Sequence, residues 1–113
     1  MVCGSLEIEI LNTFWNLTAI DEDVDISIQD VVDELSKNGT ERAYTTIKTV
    51  MDRLVTKSIL VRYKVGKKFF YKATMTKEEM TEDAVNTLVE QFFGGNYAEL
   101  IRFAEKKSQD LLV

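Results

Sequence analysis

The sequence predicts a mostly helical fold with one small β-hairpin and a further helical arm. Three observations predict it. Apolar residues recur at helical spacing in three stretches before residue 58, a period-two stretch then surrounds Gly66, and helical spacing returns beyond Thr76. No linker, repeat or low-complexity tract interrupts the 113 residues. At 45% apolar content that length suits one compact domain plus a small appendage, here drawn as residues 1–75 and 76–113.

Ser5 is the candidate N-cap of a first helix whose stripe is Leu6, Ile10, Leu11, Phe14 and Trp15, ending near Asn16. Trp15 is expected in the core. Leu17 to Asp25 is expected to be acidic and irregular, and Ile26 to Ile28 a short extended piece. Ser27 followed three residues later by Asp30 is a capping arrangement for a second helix that buries Ile28, Val31, Val32 and Leu35. Asn38-Gly39 marks a turn. A third helix, about Tyr44 to Lys57, buries Ile47, Val50, Met51, Leu54 and Val55, and must stop at Ser58.

Ile59, Val61, Tyr63 and Val65 then alternate with Leu60, Arg62 and Lys64, and Phe69 and Tyr71 alternate with Lys68, Phe70 and Lys72. This is a hairpin with its tip at Val65-Gly66-Lys67. Three short helices followed by a hairpin define a winged helix-turn-helix. Thr76 is placed to cap a fourth helix with Glu78 and Glu79 in its first turn. Met80, Ala84, Val85, Leu88, Val89, Phe92 and Phe93 line one side of it. Gly94-Gly95 breaks this helix, and Tyr97, Leu100, Ile101, Phe103 and Ala104 suggest a shorter final one.

Charge is segregated along the same divisions. The whole chain is acidic, with a net charge of −5 and a pI near 4.8. Yet Glu41 to Lys72 holds nine cations (Arg42, Lys48, Arg53, Lys57, Arg62, Lys64, Lys67, Lys68, Lys72) against only Glu41 and Asp52. The field at a contact surface follows local charge, so this segment suits double-stranded DNA despite the low pI. Thr45, Thr46, Lys48, Thr49 and Arg53 lie on the exposed face of the third helix, with Arg42 and Tyr44 at its start. Threonine can meet a thymine methyl or a phosphate, and lysine or arginine a guanine edge or a phosphate. On the hairpin, Arg62, Lys64, Lys67 and Lys68 can clamp a phosphate backbone. The alternative is a protein-interaction module without specific DNA binding, in which the acidic first helices dock a basic partner.

The apolar stripe of the last two helices has little of its own chain to cover it, which makes burial against a second copy the economical explanation. That homodimer contact would use Met80, Ala84, Val85, Leu88, Val89, Phe92, Phe93, Leu100, Ile101 and Phe103.

Enzyme classes are disfavoured. With no histidine, and Cys3 the sole cysteine, neither Cys/His catalysis nor a transition-metal site is expected. An intrachain disulfide is excluded. The run Asp21-Glu22-Asp23-Val24-Asp25 has carboxylates at alternate positions. A calcium loop beginning there would need glycine where Ile26 stands and glutamate where Val32 stands. No cofactor or metal is expected. No apolar run approaches the ~18 residues of a membrane span, and the start Met-Val-Cys-Gly-Ser has no secretory character, so a cytosolic protein is expected.

Three segments resemble the bacterial penicillinase-repressor (BlaI/MecI/CopY) family. They are Leu6-Glu7-Ile8-Glu9-Ile10-Leu11 with Trp15, Ala43-Tyr44-Thr45-Thr46-Ile47-Lys48-Thr49-Val50-Met51-Asp52-Arg53-Leu54, and Gly66-Lys67-Lys68-Phe69-Phe70-Tyr71. The resemblance runs from about Ser5 to Lys107. It implies a homodimeric transcriptional repressor on a palindromic operator, with recognition positions at Thr45, Thr46, Lys48, Thr49 and Arg53 and a wing position at Lys67. It also implies relief of repression by a protease linked to a membrane sensor. The matching bond is Arg102–Phe103, where family members that are cut usually carry asparagine before the phenylalanine. The paired Cys-x-Cys motifs of the copper-responsive branch are absent from the sequence. The family's usual glycine before the wing is Ser58 here, and its wing arginine is Lys67. The family continues into another dimerisation helix where this sequence ends at Leu111-Leu112-Val113, so the resemblance implies a weaker dimer or a shorter helical arm.

Overall fold

A computed structural model describes residues 4–112; Cys3 and Val113 lie outside the described residues. The order is α1 (Ser5–Ile20), α2 (Ile28–Lys37), α3 (Tyr44–Thr56), β1 (Leu60–Val65), β2 (Lys68–Ala73), α4 (Lys77–Phe92) and α5 (Tyr97–Leu111). The expected fold class, a helical chain with one antiparallel hairpin as its wing, is the one observed. The described residues fall into two compact units, one running to Lys77 and one from Glu78 onward.

In the first unit α1, α2 and α3 pack on one another, and the hairpin joins them through β1 against α3 and β2 against α1. The core is Ile10, Leu11 and Phe14 from α1, Val31 and Leu35 from α2, and Ile47, Val50, Met51 and Leu54 from α3. Ile26, Ile59, Leu60 and Tyr71 close it beside the wing. Val32 and Val55, expected inside, are only half-buried.

Local chemistry sets the boundaries. Ser5 is not the cap of α1: Gly4 is, and its N–H donates to Glu7 Oε1 at 3.1 Å. The helix also runs one turn past Asn16, to Ile20, where the Asp21 N–H still reaches Leu17 O. The expected irregular segment therefore begins at Asp21. At α2 the capping pair is reciprocal: Ser27 Oγ accepts from Asp30 N–H, and Asp30 Oδ2 accepts from Ser27 N–H. Between these helices Ile26 forms a single β-bridge with Tyr71, whose N–H donates to Ile26 O at 2.8 Å.

The end of α3 has a six-residue closure. Ile59 N–H donates to Leu54 O and Ser58 N–H to Val55 O, with Ser58 at φ 62°. That is the left-handed position usually given to glycine. In the hairpin Val65 pairs with Lys68, leaving Gly66 and Lys67 as a two-residue turn. Gly66 takes φ 62°, which a glycine adopts without steric cost. The register puts Leu60, Arg62 and Lys64 on one face with Tyr71 and Phe69, and it is this face that buries Leu60 and Tyr71. The more apolar-looking set, Val61, Tyr63 and Val65, points the other way, and both valines are exposed.

One buried ion pair joins the start of α1 to the end of α3. Glu7 falls on the same helical stripe as Ile10, Leu11 and Phe14 and is 5% exposed. Lys57 Nζ donates to its Oε2 at 2.9 Å and its Oε1 at 3.2 Å. The Lys57 hydrogen bond holds the Glu7 carboxyl below its ordinary value against the opposing effect of burial; Gly4 N–H and the charges of Lys57 and Arg53 add to it. Lys57 is therefore a structural cation. Trp15, expected in the core, is half-buried, and its Nε1 donates to Met75 O at 3.1 Å.

In the second unit α4 and α5 are joined through Gly94 and Gly95. α5 is nearly as long as α4, not the shorter piece expected. Asn96 starts it, its side-chain oxygen accepting from the N–H groups of Ala98 and Glu99. Phe93 and Phe103 stack obliquely with ring centroids 6.0 Å apart. No helix among the described residues is long and apolar enough to cross a membrane.

Two substitutions test these readings. Ser58→Gly should relieve left-handed strain and raise the unfolding free energy by about 0.5–1 kcal/mol, measured by urea titration. Lys57→Met should lower it by about 2 kcal/mol at pH 7, below the full cost of breaking a buried pair because Lys57 is partly exposed. The folded Glu7 carboxyl titrates below its ordinary value. The pair's contribution is therefore complete above that ordinary value and is lost as pH falls through the lower folded one. The wild-type and Lys57→Met stabilities should converge in acid.

Candidate nucleic-acid interface

All eleven residues expected to meet DNA are exposed: Arg42, Tyr44, Thr45, Thr46, Lys48, Thr49 and Arg53 from α3 and its approach, and Arg62, Lys64, Lys67 and Lys68 from the wing. The α3 set arises because its apolar stripe faces the core, which leaves the Thr/Lys/Arg side outward. Thr49 donates its hydroxyl proton to Thr45 O at 2.9 Å, so its methyl and lone pairs are what it presents. Arg53 differs from the rest in acting on the Glu7 charge near the start of α1.

The wing cations are held on aromatic supports. Arg62 lies over the Phe69 ring, 4.7 Å from its centroid, with Lys64 Nζ at 5.5 Å from the same ring. On the opposite face Lys72 sits 5.5 Å from the Tyr63 ring. Lys67 and Lys68 project at the tip. Tyr63 donates its hydroxyl to the Asp25 carboxylate. Burial and that partner push the Tyr63 phenol up to about 12. Asp25 thus ties the acidic loop to the outer face of the wing, a contact that its place in an acidic run did not suggest.

Between α3 and the wing lies an open groove of about 440 Å³, lined by Ser27, Ile28, Gln29, Tyr44, Lys48, Arg62, Lys68, Phe69 and Tyr71. Cations from α3 and from both strands converge there. Sequence reasoning picked out Tyr44, Lys48, Arg62 and Lys68 but missed the contributions of α2, Phe69 and Tyr71. Periodicity alone does not show that the start of α2 closes the groove. Burial raises the Tyr71 phenol, helped by the Asp52 charge and opposed by Arg62 and Lys48. Asp52 itself holds Lys48 Nζ at 2.8 Å, and this hydrogen bond raises the Lys48 pKa.

Of the residues expected between two copies, Ala84, Leu88, Phe92, Ile101 and Phe103 are exposed, and Met80, Val85, Phe93 and Leu100 half-buried. Val89 is fully buried within the single chain. Phe92 at 73% exposure, Ile101 at 55% and Phe103 at 53% are unusual for such side chains. Arg102 and Phe103 lie inside α5, with Arg102 paired to Glu99 at 2.8 Å.

The sequence profile of the penicillinase repressors matches residues 3–111. The chain belongs to the penicillinase repressor family. Family membership places it among the DNA-binding transcriptional repressors. It is similar to the penicillinase repressor of Staphylococcus aureus, 25% identical over 95 residues that cover 84% of this chain and 70% of that protein. It is also similar to an uncharacterized 16.5 kDa protein encoded in the ptsI 3′ region of Latilactobacillus sakei. That identity is 32% over 88 residues, 78% of this chain and 56% of that protein. Among solved structures it resembles the ferric uptake regulator of Francisella tularensis with iron, at a TM-score of 0.55 and 18% identity. That match covers 81% of this chain and 80% of the other, and shows a shared fold.

Proposed function

We propose that this family member acts as a homodimer on a twofold operator, with α3 in the major groove and the wing against the flanking backbone. The observation that carries this reading is an exposed Thr/Lys/Arg side of α3 beside a groove that Tyr44 and Lys48 line on one wall and the cationic wing on the other. Thr45, Thr46, Lys48 and Thr49 are the base-reading candidates, and Arg42, Arg53, Arg62, Lys64, Lys67 and Lys68 the phosphate contacts. Tyr44, 46% exposed at the helix start, suits a phosphate hydrogen bond. Half-sites would lie about one helical turn apart or a multiple of it. Repression then follows from occupying a promoter.

The second copy is argued from α4 and α5. A helical pair of this length with one fully buried apolar side chain leaves Phe92, Ile101 and Phe103 to solvent, and a twofold mate would remove them from water. Relief by proteolysis between Arg102 and Phe103 would require α5 to open first, because proteases bind extended backbone and this bond is helical.

Binding to DNA from upstream of the protein's own gene and to a scrambled duplex, followed by fluorescence anisotropy at two salt concentrations, tests the reading. The upstream DNA should be preferred by about 10³ or more, with affinity falling steeply as salt rises. Lys67→Ala should weaken binding to every sequence and flatten the salt slope by about 1, whereas Thr46→Ala should relax sequence preference. Absence of binding at low salt would favour the protein-interaction module instead. Ile101→Asp, at a position exposed in the single chain, should shift the sedimentation coefficient from dimer to monomer while leaving helical content unchanged. A wild-type protein that sediments as a monomer would overturn the dimer.

A further inference from the structure

Asp52 is an acid on the face that the proposed function turns toward a polyanion. It is the only acid between Arg42 and Lys72. Its Oδ2 accepts from Lys48 Nζ at 2.8 Å, while its Oδ1 is buried without a hydrogen-bond partner among the described residues. Lys48, Arg62 and Tyr71 line the groove, Asp52 adjoins them through its bond to Lys48, and the charges of Lys48, Arg62 and Asp52 all act on the Tyr71 phenol.

The pair is not explained by helix stability. An exposed i,i+4 pair contributes only a few tenths of a kcal/mol, and the order with lysine N-terminal to the acid is the less favourable one. Oδ1 has also lost water without gaining a partner. For general affinity toward phosphates the carboxylate is a handicap. Its geometric effect is specific: it holds the Lys48 ammonium at the wall of the groove, where Arg62 and Lys68 also lie, instead of leaving a four-carbon stem free to reach any nearby phosphate.

We propose that Asp52 is a positioning residue for sequence discrimination, which restrains Lys48 so that its ammonium is satisfied only by an acceptor at one place in the groove. Acceptors elsewhere are reached only by breaking the Lys48–Asp52 bond, so non-operator DNA gains less from Lys48 than operator DNA does. Guanine O6 and N7 are acceptors of the required kind. This inference rests on the proposed DNA-binding reading and deepens it.

The test uses the full chain, the duplex that the wild type enriches from a random-sequence pool, and a scrambled duplex of equal length. Asp52→Asn keeps the side-chain shape and removes the charge. It should bind the scrambled duplex more tightly, with a salt slope steeper by about 0.9, and its ratio of enriched to scrambled affinity should fall about tenfold. Asp52→Ser should move both quantities in the same direction, and thermal melting should show both variants folded. In a Lys48→Ala background, Asp52→Asn should cause no further loss of the ratio. An unchanged ratio for Asp52→Asn and Asp52→Ser, or an equal loss with and without Lys48, would overturn the inference while leaving the DNA reading in place. A wild type that enriches no sequence would overturn both.

Discussion

Tyr71 connects the helical layer to the wing in three ways. Its backbone N–H donates to Ile26 O, which fixes β2 against the segment entering α2. Its ring fills the core beside Leu60, 2% exposed. Its phenol meets the charges of Arg62, Asp52 and Lys48 at the groove. An isolated two-stranded hairpin is marginally stable in water, so the wing depends on this attachment for a defined position. The positions of Arg62, Lys64 and Phe69 follow, because register and face are set once Tyr71 points inward.

The distribution of charge is finer than a division into acidic and basic segments. Lys57 belongs to the basic segment by sequence but is occupied by Glu7 on the core side. Asp25 belongs to the acidic run but satisfies Tyr63 on the wing. The cations lining the groove come from three elements, Lys48 from α3, Arg62 from β1 and Lys68 from β2, and two of them are restrained: Arg62 by Phe69 and Lys48 by Asp52. Restraint of this kind lowers the entropy lost when a ligand is bound, which suits a surface that reads shape as well as charge.

Much of this was legible in the residues. The Ser27/Asp30 box, the α3 stripe and the period-two hairpin are local signals, and local geometry decided them. What could not be read depended on partners distant in sequence. The hairpin's two faces are both apolar enough to be buried, and only contact with α1 and α3 selects the Leu60/Tyr71 face. Glu7 did carry a signal, since it stands on the stripe of Ile10, Leu11 and Phe14, but its partner lies fifty residues away. Ser5 looked like a cap because its type is right; Gly4 holds that place because the Glu7 carboxylate reaches back to its N–H. The eleven candidate contact residues were nameable because an exposed face is the complement of a buried one, whereas the groove needed the third element, α2.

The position of Trp15 has a spectroscopic consequence. It is the single tryptophan of the chain, half-buried, with its indole N–H bonded to the Met75 carbonyl just beyond the wing. It is not among the residues lining the groove between α3 and the hairpin, so nucleobases bound there would not stack on it. Its emission is therefore an intrinsic, label-free gauge of the junction between α1 and the end of β2. Changes in its wavelength or anisotropy would register loosening of the wing's root without being confounded by direct quenching at the contact face.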